Sequence, residues 1–160
     1  MTSRTLTWAD PGAVLERASG LTGIEMLRAL RDGVLPPPPM AVTMNASIRE
    51  VEEGRVVFEC VPGEEHYNPL GTVHGGYACT ALDTVTGCAA QTTLPAGVGY
   101  TSIEIAVKYL RPITLRTGPL RVVGTVTKPG RRVIFAEGAI LDAGGTTLAT
   151  ASSSLLVLGG

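Results

Sequence analysis

The chain has 160 residues, a formal net charge of −1, 44% hydrophobic residues and 17% charged ones. That length suits one domain with a real core, and that composition excludes a disordered chain. The near-neutral balance argues against a nucleic-acid surface, which carries a basic excess.

The first residues, "MTSRTLTWADPG", lack the apolar run of a secretory signal. No apolar stretch approaches the ~18–20 residues of a membrane span. The three cysteines, Cys60, Cys79 and Cys88, form no CxxC pair. A disulfide framework or a zinc site is therefore not expected, and a reducing cytoplasm is the expected setting.

"DPGAVLERASG" predicts a short helix, with Asp10 as N-cap and Pro11 at the first helical position. "LTGIEMLRALRDG" puts Leu21, Ile24, Leu27 and Leu30 on one stripe at helical spacing, stopped by Gly33. Leu35 to Met40, "LPPPPM", reads as a polyproline spacer. Residues 1–40 are thus a helical preface with a Pro-rich spacer, and residues 41–160 form the body. The simple expectation for the preface is packing on the sheet, with a role in covering a pocket as the alternative.

In the body, residues 41–52 and 55–62 predict two strands joined by the turn "EEGR". Residues 73–92 predict the long helix. Four further extended runs follow, and in "SIEIAVKYL" Ile103, Ile105, Val107 and Tyr109 alternate with Ser102, Glu104, Ala106 and Lys108. The turns "KPG" and "DAGG" are short, so the pairing should be antiparallel. A long antiparallel sheet with one apolar helix predicts an α+β fold in which the sheet curls around the helix. One helix cannot cover such a sheet, so a second subunit is expected.

"HYNPLGTVHGGYACTALD", His66 to Asp83, opens that helix on His-Gly-Gly and carries a carboxylate two turns inside. Around Asp83, the positions three, four or seven away are Gly76, Cys79, Thr80, Thr86, Gly87 and Ala90. All are small, so a backbone or ligand can come close. A carboxylate in that narrow space needs a compensating donor to stay ionised. Taken singly, Asp83 reads as an exposed acid, His74 as an ordinary helix start, Asn68 as a turn residue and the glycines as packing residues. Together they read differently. Gly75 sits where free N–H groups and the positive dipole end gather anionic oxygen. A carbonyl on that N–H becomes more electrophilic. Asp83 lies eight residues on, about 12 Å along the axis. It cannot easily attack a carbonyl held at Gly75 of its own helix, so a two-fold partner is expected to supply the carboxylate.

"NPLGTVHGG" followed by "ALD" resembles the hotdog-fold acyl-CoA thioesterases, specifically the PaaI-like subgroup linked to phenylacetate degradation. The resemblance covers roughly residues 40–158, and "YLRPI" and "GRR" also look like this family. It implies a long helix wrapped by an antiparallel sheet, commonly as a homotetramer that is a dimer of dimers, hydrolysing an acyl- or aryl-CoA thioester without metal or cofactor. It implies that the Gly75 N–H polarises the carbonyl and that Asp83 of the opposite subunit is nucleophile or general base. Asn68 would position the water or the carbonyl, and His74 would shape the helix start. Gly76 and Thr84 beside them are read as substrate-binding. Arg111, Arg131 and Arg132 are candidates for the phosphates of coenzyme A. One departure stands out: the position one turn after Asp83, where some relatives have Ser or Thr, is Gly87, with Thr86 beside it. That leaves the water-holding hydroxyl open and suggests a larger acyl pocket.

Two other readings share the fold: a non-catalytic acyl-CoA sensor, and less readily an acyl-CoA hydratase or dehydratase. The hydratase pattern of Asp and His a few residues apart is absent. The preface is too short for the DNA-binding domain of known sensors. Two Phe, one Trp and four Tyr give no special indication of stacking on a phenyl ring.

Overall fold

The computed structural model describes residues 1–159. Three helices precede the sheet: α1 (Pro11–Ala18), α2 (Gly23–Arg31) and α3 (Pro39–Thr43). Asp10 caps α1, accepting from the Gly12 N–H at 3.0 Å. Thr22 and Glu25 form a reciprocal capping box on α2. The polyproline expectation needs one correction. Pro39 and Met40 begin α3, because proline's fixed φ and missing N–H suit the first helical turn. The first strand accordingly starts later than expected, after Asn45 turns the chain with φ +49°.

The strands are β1 (Ala46–Glu52), β2 (Arg55–Cys60), β3 (Gly99–Tyr109), β4 (Leu120–Lys128), β5 (Val133–Leu141) and β6 (Thr147–Leu158), and the long helix α4 is Gly75–Gln91. They form one six-stranded sheet in the order β1-β2-β4-β5-β6-β3, with every pairing antiparallel. Short turns explain that pattern. Gly54, at φ +73°, closes the β1–β2 hairpin. Asp142 closes the β5–β6 connection by accepting from the N–H groups of Gly144 and Thr146.

The sheet packs around α4. Leu82 and Val85 of the helix and Leu120, Val122 and Ile140 of the strands are fully buried. Each such side chain contributes about 1.5–3 kcal/mol. Gly124 and Gly138 pair across β4 and β5. A Cβ on Gly124 would lie 2.1 Å from the Val85 carbonyl oxygen, so only glycine lets the helix seat this deeply. The helix thus presents its N-terminus beside the end of β3 and leaves its small-residue face toward the edge of the sheet and the preface.

Candidate active site

The N-terminus of α4 is built from the loop before it. Asn68 closes residues 68–72: its Oδ1 accepts from the Leu70 N–H at 2.9 Å and its Nδ2 donates to Thr72 Oγ1 at 2.9 Å. That leaves one amide N–H of Asn68 to spare. His74 is the N-cap, with Nδ1 accepting from the Gly76 N–H at 2.8 Å. An imidazole that accepts at Nδ1 carries its proton on Nε2. The Tyr77 N–H is also taken, by the His74 carbonyl. Among the described residues, the Gly75 N–H has no acceptor, so it is the open donor of the first turn. Tyr109 leans over it from the end of β3, donating to the Gly75 carbonyl at 3.1 Å.

His66 is committed elsewhere. Its Nδ1 accepts from the Gly63 N–H at 2.8 Å, so its Nε2 donates to the Thr43 carbonyl at 3.0 Å. This histidine is a brace between its own loop and the end of α3.

Asp83 is half-buried on α4. Its Oδ1 accepts from the Ser102 hydroxyl at 2.8 Å. The compensating donor therefore comes from β3 and not from the helix. The helix hydroxyls are spent on their own backbone: Thr80 on Gly76, Thr84 on Thr80, and Thr86 on Leu82. Thr86 is fully buried, its hydroxyl turned to the Leu82 and Asp83 carbonyls of its own helix. Gly87 does not leave an enlarged pocket. The Tyr100 phenol fills the space, and a Cβ there would lie 2.1 Å from its oxygen. Burial keeps the Tyr100 phenol protonated well above the ordinary tyrosine range.

A cavity of about 560 Å³ is lined by Asp83, Thr84 and Tyr100 on one side and by α2, Pro36–Pro38 and α3 on the other. The preface thus both packs on β1 and α4 and lines a pocket. A shallower groove of about 300 Å³ brings Asn68, Gly75, Tyr109 and Arg111 together. Arg111 is exposed there, donating to the Thr147 carbonyl at 3.1 Å. Arg131 and Arg132 lie elsewhere, on a groove with Leu94 and Pro95 beyond the C-terminus of α4. A 17-residue helix separates them from Gly75, a distance of about 25 Å. Within one chain, then, the structure joins Asn68, His74, Gly75, Gly76 and Arg111 at one end of α4. Asp83 and Thr84 sit on a middle cavity, and Arg131 and Arg132 lie at the far end. Sequence reasoning missed Ser102, Tyr100 and Tyr109, which reach the helix from a strand distant in sequence. Among the described residues no cluster of His, Cys, Asp and Glu has the makings of a metal site.

This helix-in-sheet architecture is the hotdog fold, and the comparisons with known proteins assign its family. A profile of the Thioesterase superfamily matches residues 70–149, and the chain belongs to that superfamily. The "Putative esterase SSO2140" of Saccharolobus solfataricus is 30% identical over 115 residues, 72% of this chain and 80% of that one. Human acyl-coenzyme A thioesterase 13 is 30% identical over 82 residues, 51% of this chain and 57% of the human protein. The chain thus spans little more than half the length of that relative. A phenylacetic acid degradation-related protein of Ralstonia eutropha JMP134 superimposes with a TM-score of 0.75 at 28% identity, covering 81% of this chain and 98% of that one. The PaaI protein of the Escherichia coli phenylacetic acid degradation operon, at TM-score 0.71 and 20% identity, covers 77% of this chain and 86% of its own, and shares the fold. A Streptococcus mutans protein solved with acetyl-CoA has a TM-score of 0.66 at 23% identity, over 72% of this chain and 90% of its own. Among the described residues, no helix is long and apolar enough to cross a membrane. The relatives named an acyl-coenzyme A thioesterase and a "Putative esterase" support a hydrolase.

Proposed function

We propose that this protein hydrolyses acyl-CoA thioesters at sites shared between two subunits. The observation that carries the reading is the placement of Asp83. Its carboxylate is held by Ser102 beside an apolar cavity, while the open N–H of the same helix lies about 12 Å away. Neither group completes a hydrolytic site alone. A two-fold partner brings one helix's Gly75 to the other's Asp83.

The thioester carbonyl rests on the Gly75 N–H, near the spare amide N–H of Asn68. One oxygen of Asp83 is engaged by Ser102, which leaves the other to accept a proton from water. The water oxygen bonds to the carbonyl carbon, and the negative charge that forms on the carbonyl oxygen is stabilised at Gly75. The tetrahedral species then collapses, the C–S bond breaks, and the sulfur leaves with the proton held on Asp83. His74 acts by fixing the first turn. Arg111, exposed in the Gly75 groove, suits a phosphate of coenzyme A.

The subunit contact is assigned to β3. It is one of the two edge strands of the sheet, opposite β1, and is eleven residues long. Ile103 is 56% exposed there at a β-bulge, and Tyr109 is 57% exposed. A long edge strand with unpaired backbone groups and exposed Ile103 and Tyr109 is a surface that proteins cover. The relatives' acyl-CoA activity and the acetyl-CoA ligand of the S. mutans protein agree with this substrate class. Free-thiol release from a panel of acyl- and aryl-CoA esters, with Asp83→Asn as control, tests the reading. Tight binding of coenzyme A esters without turnover would leave a non-catalytic binder instead.

A further inference from the structure

We propose that the segment from α2 to α3 is the wall of the acyl pocket and selects a linear acyl group of medium length. The proposal rests on the hydrolase reading for the thioester itself. It goes beyond that reading in naming the cargo and the part of the chain that measures it.

The cavity beside Asp83 holds about 560 Å³, within the range of small-molecule sites. From the preface it is lined by Leu27, Leu30, Leu35, Pro37 and Met40, and from the body by Ile48, Phe58 and Tyr100. Asp83 is the only carboxylate in the lining. The two charged groups at its rim are turned to partners of their own, Arg31 to Asp32 and Arg49 to Glu59. An alkyl chain entering past Asp83 therefore meets apolar surface. The proline run adds to this, because a proline backbone presents no N–H that an alkyl chain would leave unsatisfied.

The wall is fixed rather than loosely draped. At its start, Gly23 packs so closely on α4 that a Cβ would lie 1.8 Å from the Gln91 carbonyl oxygen. Before the prolines, Leu35 is buried, its N–H donates to the Ala29 carbonyl at 3.0 Å, and Arg17 donates to the Val34 carbonyl at 2.7 Å. After them, Met44 is buried and its carbonyl accepts from the Tyr77 hydroxyl of α4 at 2.8 Å. Burial raises the Tyr77 phenol far above neutral pH, so it remains a donor. Pro36 to Pro38 bridge two anchored ends as a stiff extended strut. A wall held this way acts as a ruler.

The size follows from volume. At ~30 Å³ per water-sized group, such a cavity admits at most about 18 groups. Its rim at Pro37, Pro38 and Met40 is exposed, so usable filling is nearer half, on the order of eight to twelve carbons. Each added methylene should raise kcat/KM about fourfold until the cavity is full.

The test uses the full chain with linear acyl-CoA esters from acetyl to hexadecanoyl, together with phenylacetyl-CoA. Two preface variants are compared, each checked for an intact thermal transition. The expected wild-type profile peaks between octanoyl and dodecanoyl. Ala41→Phe, which intrudes into the cavity, should lower the decanoyl-to-butyryl ratio of kcat/KM by ~10-fold or more. Met40→Ala should move the optimum to longer chains. A flat profile, a peak at acetyl or phenylacetyl, or an optimum that neither variant moves overturns the proposal while leaving hydrolysis intact. If no ester is cleaved, calorimetry with uncleavable S-alkyl coenzyme A thioethers decides. Affinity rising with chain length and blunted by Ala41→Phe upholds the pocket while the hydrolase reading fails. Affinity indifferent to chain length overturns the pocket as well.

Discussion

The Ser102 hydroxyl donates to Asp83 Oδ1 at 2.8 Å, joining the outer strand β3 to the third turn of α4. The two residues lie 19 positions apart, and the bond crosses from strand to helix exactly where the sheet register slips at Ile103. Its chemical consequence is orientation: one carboxylate oxygen is occupied, and the other is aimed by that restraint.

Ser102→Ala should therefore lower kcat about tenfold, equivalent to ~1.4 kcal/mol, with KM within about twofold. Ser102 is exposed, so the thermal transition should move little. Ser102→Thr keeps the hydroxyl and should recover most of the loss. Steady-state kinetics of the two variants check this, and equal defects in both would point to packing rather than orientation.

Asp83→Asn should leave the fold intact and lower kcat by ~10²-fold or more. A single turnover in ¹⁸O-water separates its two chemistries. General-base action puts ¹⁸O in the released acid. Nucleophilic attack forms an acyl–aspartyl anhydride. Water opening it at the aspartyl carbonyl puts the label in the Asp83 carboxylate, detectable by peptide mass spectrometry. Opening at the acyl carbonyl labels the acid but passes through a covalent acyl-enzyme that a rapid quench traps. We expect the label in the acid and no trapped acyl-enzyme, because Ser102 fixes Asp83 as an acceptor.

The sequence carried the helix α4, its N-terminal constellation and the number and antiparallel pairing of the strands, because each rests on local periodicity or turn chemistry. The placement of Asn68 and Gly75 at the start of α4 and of Asp83 on its third turn follows from spacing along one short stretch. Ser102 was not legible in this way, since alternation in "SIEIAVKYL" places it on a wet face and a β-bulge leaves no mark in composition. Gly87 suggested a larger acyl pocket, but Tyr100, thirteen residues on, occupies the space. Charge and turn position alone do not tell which end of α4 a loop reaches: in one chain Arg111 lies beside Gly75, and Arg131 and Arg132 lie beside Leu94 and Pro95. The preface does both things weighed for it, because one apolar stripe serves equally to pack on a sheet and to wall a cavity.

Cys60 gives a pH dependence. Burial, with a smaller effect from Glu59, pushes its thiol up to about 12. In the unfolded chain it ionises near the ordinary value of about 8.5. Above that pH the unfolded state has released a proton that the folded state still holds. Stability from this group is therefore complete below about pH 8.5 and is lost as pH rises toward 12. Thermal melts from pH 7 to 11 should show a decline above pH 9 that is shallower in Cys60→Ala. An identical decline in both proteins would assign it to other groups.

Gly75→Pro removes the open N–H at a position where proline is tolerated. It is the first helical residue, and His74 before it has φ −59° and ψ 137°, the extended conformation that proline favours in its predecessor. A Cβ at Gly75 comes within 3.3 Å of the exposed Tyr109 ring, so some steric cost is expected from any side chain. Gly75→Ala carries that cost and keeps the donor. The proline variant should fall ~10²–10³-fold in kcat below the alanine variant, the usual effect of one oxyanion donor. Coenzyme A affinity should be similar in the two. Equal kcat values would move the oxyanion contact to Asn68.

Complementation tests whether the site is shared. Gly75 and Asp83 lie about 12 Å apart on one rigid helix, and the cavity and groove that hold them are separate. Subunits with Asp83→Asn and subunits with Gly75→Pro are each expected to be nearly inactive. In a mixed dimer, one of the two sites pairs an intact Gly75 with an intact Asp83, and the other carries both defects. Co-expressed chains with different affinity tags, purified as heterodimers, should recover about half the wild-type activity per dimer, if the two sites act independently. A site built within one chain gives no recovery, because every chain then carries a defect of its own. Heterodimers that form and stay inactive would therefore return both roles to a single subunit.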